Sequence, residues 1–202
     1  RVRFTTSHPK DLSDELAGAF GTLDKLCGHL HLPVQSGSNR ILKRMNRKYT
    51  REVYLEKVAA LRKAFPDVAI TTDIIVGFPG ESQKDVDDTL SLIRKVRYDS
   101  LFVFNYSDRP LAPSRNFTPK VAEKEKNVRL QQVLDVQKII TDEINAGMVG
   151  RTMSVLVEGY SKRQQTEPSP AEEEPLQWSG RTSCNKIVNF VADAPTKKRL
   201  DD

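Results

Sequence analysis

Four short stretches of this 202-residue sequence end apolar runs in hydroxyls, amides, glycines and a few acids. They are Thr5-Thr6-Ser7-His8-Pro9, Pro33-Val34-Gln35-Ser36-Gly37-Ser38, Asp73-Ile74-Ile75-Val76-Gly77-Phe78-Pro79-Gly80-Glu81 and Phe104-Asn105-Tyr106-Ser107-Asp108-Arg109-Pro110. Such groups suit an uncharged polar ligand with a flat ring, because hydrogen-bonding side chains orient it and glycines let it approach the backbone. Singly, each stretch is ordinary loop-forming sequence; four at matching positions point to a site. Other chemistry is missing. No carboxylate pair is placed for glycoside hydrolysis, no nucleophile elbow accompanies His8, His29 and His31, and there is neither a P-loop nor a dinucleotide fingerprint. His31 reads as a strand residue rather than a metal ligand. Two distant cysteines, Cys27 and Cys184, provide neither a disulfide framework nor a thiolate metal site, which predicts a reducing, cytoplasmic setting and no metal held by this chain.

Charge is concentrated near the second stretch. Between Asp24 and Glu52 there is no acid, while Lys25, Arg40, Lys43, Arg44, Arg47, Lys48 and Arg51 fall inside. The net charge of +5 resides in residues 1–144, with 24 basic and 19 acidic groups; residues 145–202 balance at 8 and 8. An excess this modest does not by itself establish nucleic-acid binding, but its clustering beside a strand end makes phosphate a candidate partner, with a solvated surface face as the alternative.

The elements that must position these groups follow from periodicity. Strands are expected at Arg1–Ser7, His29–Gln35, Val68–Phe78 and Leu101–Ser107, and helices at 11–20, 38–46, 50–65, from Ser82 onward, and 121–147. Thr50 is a candidate N-cap, Pro66 a stop, and Ser82-Gln83-Lys84-Asp85 a capping box with Asp in place of Glu. Alternation puts Thr71, Asp73, Ile75 and Gly77 on one face of the third strand and the mostly apolar Ile70, Thr72, Ile74 and Val76 on the other, against helices. Core packing is the plain expectation for Phe102, Phe104 and Tyr106. Repeated β-α steps imply an α/β fold with parallel strands, too short for a closed barrel of roughly 250 residues and so a partial (β/α) barrel or half of an open sheet. After Gly150 the pattern changes to short strands at Thr152–Val157, Trp178–Thr182 and Ile187–Val191, a small all-β module of the open-barrel kind. Glu167–Gln177 reads as an acidic, proline-rich solvated loop and 193–202 as a disordered tail. No apolar run reaches the roughly 20 residues of a membrane helix.

RVRFTTSHPKDLSDEL, HLHLPVQSGSNRILKRMNRKYTREVY, TTDIIVGFPGES, FVFNYSDRP and VLVEGYSK…SGRTSCNKIVNF, in that order, resemble the MiaB-type tRNA methylthiotransferases, which are radical S-adenosylmethionine enzymes. The resemblance covers nearly all of residues 1–192. It implies that residues 1–147 are the C-terminal part of the radical domain and 148–192 an OB-like TRAM barrel that binds tRNA. The family's cluster-binding cysteines, including its CxxxCxxC, would lie upstream; Cys27 and Cys184 match none of them, so this piece alone is expected to be inactive. By resemblance the whole enzyme uses S-adenosylmethionine and two 4Fe–4S clusters to add a methylthio group to isopentenyl-adenosine beside the tRNA anticodon.

The resemblance also suggests roles, without assigning a catalytic residue. Ile75 and Gly77 would form the adenine platform, with Gln35 and Ser36 facing S-adenosylmethionine. Asp73, Phe104, Tyr106 and Arg109 would line the cavity toward the target base. Arg44, Arg47, Lys48, Arg51 and Arg109 would meet RNA phosphates, as would Arg151, Lys162, Arg163, Arg181 and Lys186 in the TRAM-like part, with Glu172-Glu173-Glu174 turned away. YSDRP and VEGYSK…GRT favour the tRNA branch over the branch that modifies a ribosomal protein; a branch acting on threonylcarbamoyl-adenosine stays open. Leu111-Ala112 departs from the Gly-Thr common in the family. The alternative from another class is a non-catalytic RNA-binding module.

Overall fold

The computed structural model describes residues 1–6, 8–163 and 176–191. The chain divides into two compact units, Val2–Val149 and the part from Gly150 onward.

In the first unit three parallel strands, β1 (His29–His31), β2 (Ala69–Val76) and β3 (Ser100–Asn105), lie in the order β1-β2-β3. The register pairs His31 with Thr71, Asp73 with Phe102 and Ile75 with Phe104. The connections are helical: α1 (Asp14–Thr22) precedes β1, α2 (Asn39–Arg44) and α3 (Arg51–Ala64) join β1 to β2, α4 (Gln83–Val96) joins β2 to β3, and α5 (Glu123–Ala146) follows. The starts of α1 to α4 have a local cause. The side chains of Ser13, Ser38 and Thr50 accept from the amides of Leu16, Ile41 and Val53, satisfying donors that a helix leaves open. At α4 the capping box forms as expected, the Ser82 amide donating to Asp85 Oδ2 at 2.7 Å. Helix α3 ends at Ala64, before Pro66.

The core lies on one side of the sheet. Leu30, Leu32, Val34, Ile70, Ile74 and Val76 pack with Tyr54, Val58 and Leu61 of α3 and with Val86, Leu92 and Ile93 of α4. Thr72 is sealed among them because its hydroxyl donates to the Leu32 carbonyl at 2.9 Å and accepts from the Val34 amide at the same distance. The other side is open, and here the core-packing expectation fails: Phe102 and Phe104 are 57% and 52% exposed and stand outside the buried cluster.

The expected first strand does not form. Residues 1–6 make two isolated parallel bridges, Val2 with Leu26 and Thr5 with His31. A step of three residues on one side thus faces a step of five on the other, so the ladder breaks. Ser7 lies outside the described residues. The second strand is also shorter than expected: regular pairing stops at His31 and resumes as a single bridge from Gln35 to Ile74, with Gln35 at φ 71°.

The second unit is a three-stranded antiparallel sheet, β4 (Val155–Tyr160), β5 (Gln177–Thr182) and β6 (Ile187–Val191), in that order. The first strand starts three residues later than periodicity suggested. A register shift between Val157 and Gly159 bends it, with Gly159 at φ 144°. Tyr160 and Trp178 pack at 4.6 Å between ring centroids. The expected acidic loop is described only at its last two residues, and Glu172-Glu173-Glu174 and the tail lie outside the described residues.

Candidate functional site

The carboxyl ends of β2 and β3, the Gln35 turn and the segment after β3 enclose a cleft of about 710 Å³. Gln35, Asp73, Ile75, Phe104, Tyr106, Arg109, Arg44 and Arg47 all line it. The β2 pleat accounts for two of these. Asp73 and Ile75 are partly exposed between the sealed Thr72, Ile74 and Val76. Gln35 reaches the cleft by a different route. Its left-handed backbone closes the bridge to Ile74, its amide donating to the Asp73 carbonyl at 2.8 Å and its carbonyl accepting from the Ile75 amide at 2.9 Å.

Asp73 faces His31 across 3.4 Å, and His31 Nδ1 lies 3.0 Å from the Thr71 hydroxyl. Among the described residues no group of three His, Cys, Asp or Glu side chains is placed to hold a metal ion. Aromatic rings form one wall: Phe78 packs edge-on against Tyr106 at 5.0 Å and Phe117 at 6.2 Å. Tyr106 donates to Asp108 Oδ1 at 2.9 Å, which also accepts from Lys120 at 2.6 Å. These two bonds hold the exposed Asp108 carboxyl below its ordinary value. Asn105 donates to Asn127 at 2.7 Å, while its buried Oδ1 has no hydrogen-bond partner among the described residues. The cleft therefore presents apolar ring faces beside the polar side chains of Gln35 and Asp73, a combination that fits a flat ring bearing polar substituents.

Several expected positions lie elsewhere. Ser36 is fully buried and accepts from the Ser38 amide at 3.2 Å, turned toward Thr89 of α4. Gly77 is covered by the Lys126 side chain; a Cβ there would meet Lys126 Cγ at 2.3 Å. Arg51 is not presented to solvent anions, because its guanidinium donates to the Gly37 carbonyl at 3.3 Å, to the Asp88 carbonyl and to Ser91 Oγ at 3.1 Å. Lys48 is exposed and outside the cleft wall. Arg44 lines the cleft but is anchored, donating to the carbonyls of Pro79 (3.1 Å) and Thr118 (3.3 Å) with its guanidinium 5.3 Å from the Phe117 ring centroid. In the second unit Arg181 pairs with Glu158 at 3.2 Å and donates to Asn185 at 3.3 Å, and Arg151, Lys162 and Arg163 are exposed. Lys186 is half-buried in the turn that joins β5 to β6, its amide donating to Thr182 Oγ1 at 3.0 Å.

Two buried carboxylates brace the cleft from behind. Asp85 accepts from Ser38 Oγ at 2.6 Å, from Ser82, and from Arg40. Burial pushes its pKa up, but the bonds from Arg40, Ser38 and Ser82 outweigh this and hold it well below the usual carboxylate range. Glu81 accepts from the Gly77 amide at 2.6 Å and from Arg129 at 2.9 Å; burial raises its pKa, and these two bonds offset the rise only in part. The sequence reading missed Arg129, Lys126, Phe78, Phe117 and Asn105. Phe78 had a signal, standing beside Gly77 at the end of β2; Arg129 and Lys126 sit on a helix remote in sequence and had none.

Residues 1–93 match the model of the Radical SAM superfamily. The same fold relates the chain to solved structures: coproporphyrinogen III oxidase (HemN) from Escherichia coli, a radical SAM enzyme (TM-score 0.53, 17% identity, 75% of this chain and 34% of that one), and Methanocaldococcus infernus Elp3 (TM-score 0.54, 11% identity, 89% and 52%). The chain thus has a radical SAM-like α/β fold. Within that class its relatives are MiaB-type. It is 59% identical over 191 residues to the tRNA-2-methylthio-N(6)-dimethylallyladenosine synthase of Desulfosudis oleivorans, covering 95% of this chain and 41% of the relative. It is 52% identical over 202 residues to that of Geobacter metallireducens, covering 100% and 43%. The chain spans about two-fifths of the length of these curated relatives.

Proposed function

We propose that this chain supplies the C-terminal part of the radical domain, and the following TRAM domain at 148–192, of an enzyme that adds a methylthio group to isopentenyl-adenosine beside the anticodon of tRNA, in the cytoplasm. One observation carries this reading most: Gln35, Asp73, Ile75, Phe104 and Tyr106, scattered over 72 positions of sequence, meet in a single cleft whose mouth holds Arg44, Arg47 and Arg109. The relatives' shared name, a synthase acting on dimethylallyladenosine in tRNA, supports the substrate. The antiparallel β4-β5-β6 sheet supports the TRAM reading.

The residues of the cleft fit S-adenosylmethionine. Ile75 and Phe104 offer apolar faces to a purine, and Gln35 and Asp73 polar partners for ribose or the amino-acid end. S-adenosylmethionine, when bound, supplies the radical chemistry. The part of these residues is to orient it, to exclude water with the Phe78–Tyr106–Phe117 wall, and to direct anionic RNA toward the cleft through Arg47 and Arg109. The residues do not fit a 4Fe–4S cluster: Cys27 and Cys184 are both buried, one in each unit, and neither lines the cleft. The family's two clusters would be held by residues outside this chain.

The test uses the full-length protein that contains this segment, reconstituted anaerobically with iron and sulfide. Incubated with S-adenosylmethionine and tRNA bearing isopentenyl-adenosine, it is expected to add a methylthio group, read by mass spectrometry of the digested nucleosides. Binding of tRNA without any S-adenosylmethionine consumption would replace this reading with the RNA-binding module. Modification only of threonylcarbamoyl-adenosine, or of a ribosomal protein, would move the chain to a sibling branch.

A further inference from the structure

Helix α5 touches the ends of two strands at once. The aliphatic chain of Lys126 lies against Gly77 at the end of β2, and its Nζ donates to the Tyr106 carbonyl at 2.9 Å, just past β3, and to Glu123 at 2.7 Å. One turn on, Arg129 donates to Glu81 Oε2 at 2.9 Å and to the Glu81 carbonyl at 3.1 Å, and also pairs with Glu125. Glu81 Oε2 in turn accepts from the Gly77 amide at 2.6 Å. The ion pair is sealed, its side chains 3% and 2% exposed.

Stability alone is a poor reason for this arrangement. Removing two charges from water offsets much of their attraction, and apolar side chains of similar volume often serve as well. Arg129 Nε is moreover buried with no hydrogen-bond partner among the described residues, a further cost. What a charged cluster does, and an apolar one does not, is fix directions. Gly77, at φ +71°, has its N–H pinned by Glu81, and the Tyr106 carbonyl is pinned by Lys126. Ile75 and Tyr106, whose side chains line the cleft, are each within two residues of a pinned backbone atom.

We propose that Lys126 and Arg129 are positioning residues for the adenosyl ligand of the cleft: from α5 they set the separation and pitch of the β2 and β3 ends between which that ligand lies. The proposal rests on the reading of the cleft as an S-adenosylmethionine site. It makes α5 part of the site's geometry although the helix contributes no residue to the cleft wall.

The test uses the reconstituted full-length protein and two binding measurements: S-adenosylhomocysteine by calorimetry, and a fluorescent anticodon stem-loop RNA by anisotropy. Lys126→Met keeps the chain that packs on Gly77 and removes the ammonium. It is expected to weaken S-adenosylhomocysteine about tenfold, as loss of one charge-assisted hydrogen bond at a ligand-facing strand would. RNA affinity should stay within about twofold on the same grounds, since the cationic cleft mouth is untouched. Arg129→Gln is expected to lose at least as much, and Arg129→Lys to recover part of it. Should Arg129→Gln fail to fold, Lys126→Met and Arg129→Lys still decide. Wild-type S-adenosylhomocysteine affinity in both of those would overturn the positioning role and leave the cleft reading standing, as would a parallel loss of both ligands that tracks melting temperature. Failure of the unmutated protein to bind S-adenosylhomocysteine would overturn the cleft reading and this proposal together.

Discussion

The two faces of β2 and β3 are built from alternate residues of the same strands, yet they do opposite things. On one face Ile70, Thr72, Ile74 and Val76 are sealed under α3 and α4. On the other, Asp73 and Ile75 line a cleft, and Phe102 and Phe104 stay more than half exposed. The pleat therefore separates core from cleft residue by residue: a one-position change in the sequence moves from what holds the sheet together to what the sheet presents.

That separation can be broken by substitution. Ile74→Ala, at 0% exposure, should cost roughly 2–5 kcal/mol, since it removes buried methyl groups and leaves a cavity. Chemical denaturation of the chain would show it as a lower midpoint. Asp85→Asn, on the sealed side, should cost about 1–3 kcal/mol, because Arg40, Ser38 and Ser82 all lose a charged acceptor. The same site sets an acid limb. A carboxylate whose folded pKa is depressed contributes stability that is fully present above its unfolded value, about 3.9, and is lost progressively as pH falls from there through the folded value. Denaturation midpoints of the wild type should therefore decline below about pH 4, and the Asp85→Asn variant should decline less steeply over that range. The smallest stability effect is expected from Phe104→Ala, within about 1 kcal/mol given its exposure, paired with a clear loss of S-adenosylhomocysteine affinity in the full-length protein. If Phe104→Ala instead destabilised the protein as much as Ile74→Ala, the two faces would not differ in the way their burial indicates.

Much of this fold was legible because its signals are local. Caps at Thr50 and Ser82 start α3 and α4, and the stop before Pro66 falls where expected. The sidedness of β2 followed from alternation alone. What escaped depends on partners distant in the chain. Residues 1–6 have a strand-like pattern but meet Leu26 and His31 out of step, so the ladder breaks. Arg51 belongs to a basic cluster in sequence, yet in space it caps carbonyls of Gly37 and Asp88. Phe102 and Phe104 have the composition of core residues; only the three-dimensional layers reveal that their face is left exposed. For the cleft, strand-end residue types pointed to Gln35, Asp73 and Ile75, and the family resemblance added Phe104 and Tyr106, while Ser36 and Gly77 turn elsewhere, because a single left-handed residue or a covering lysine decides the direction.

Gly37 has a consequence of its own. An added methyl there would lie 2.5 Å from the Thr89 Cα and 2.7 Å from the Asp88 carbonyl oxygen, so the turn before α2 rests directly on the backbone of α4. Arg51 ties the same spot from the other side. The short helix bearing Arg44, and the turn bearing Arg47, are thus mounted on a stiff frame rather than on a tether. The two arginines thus start from fixed backbone positions at the cleft wall.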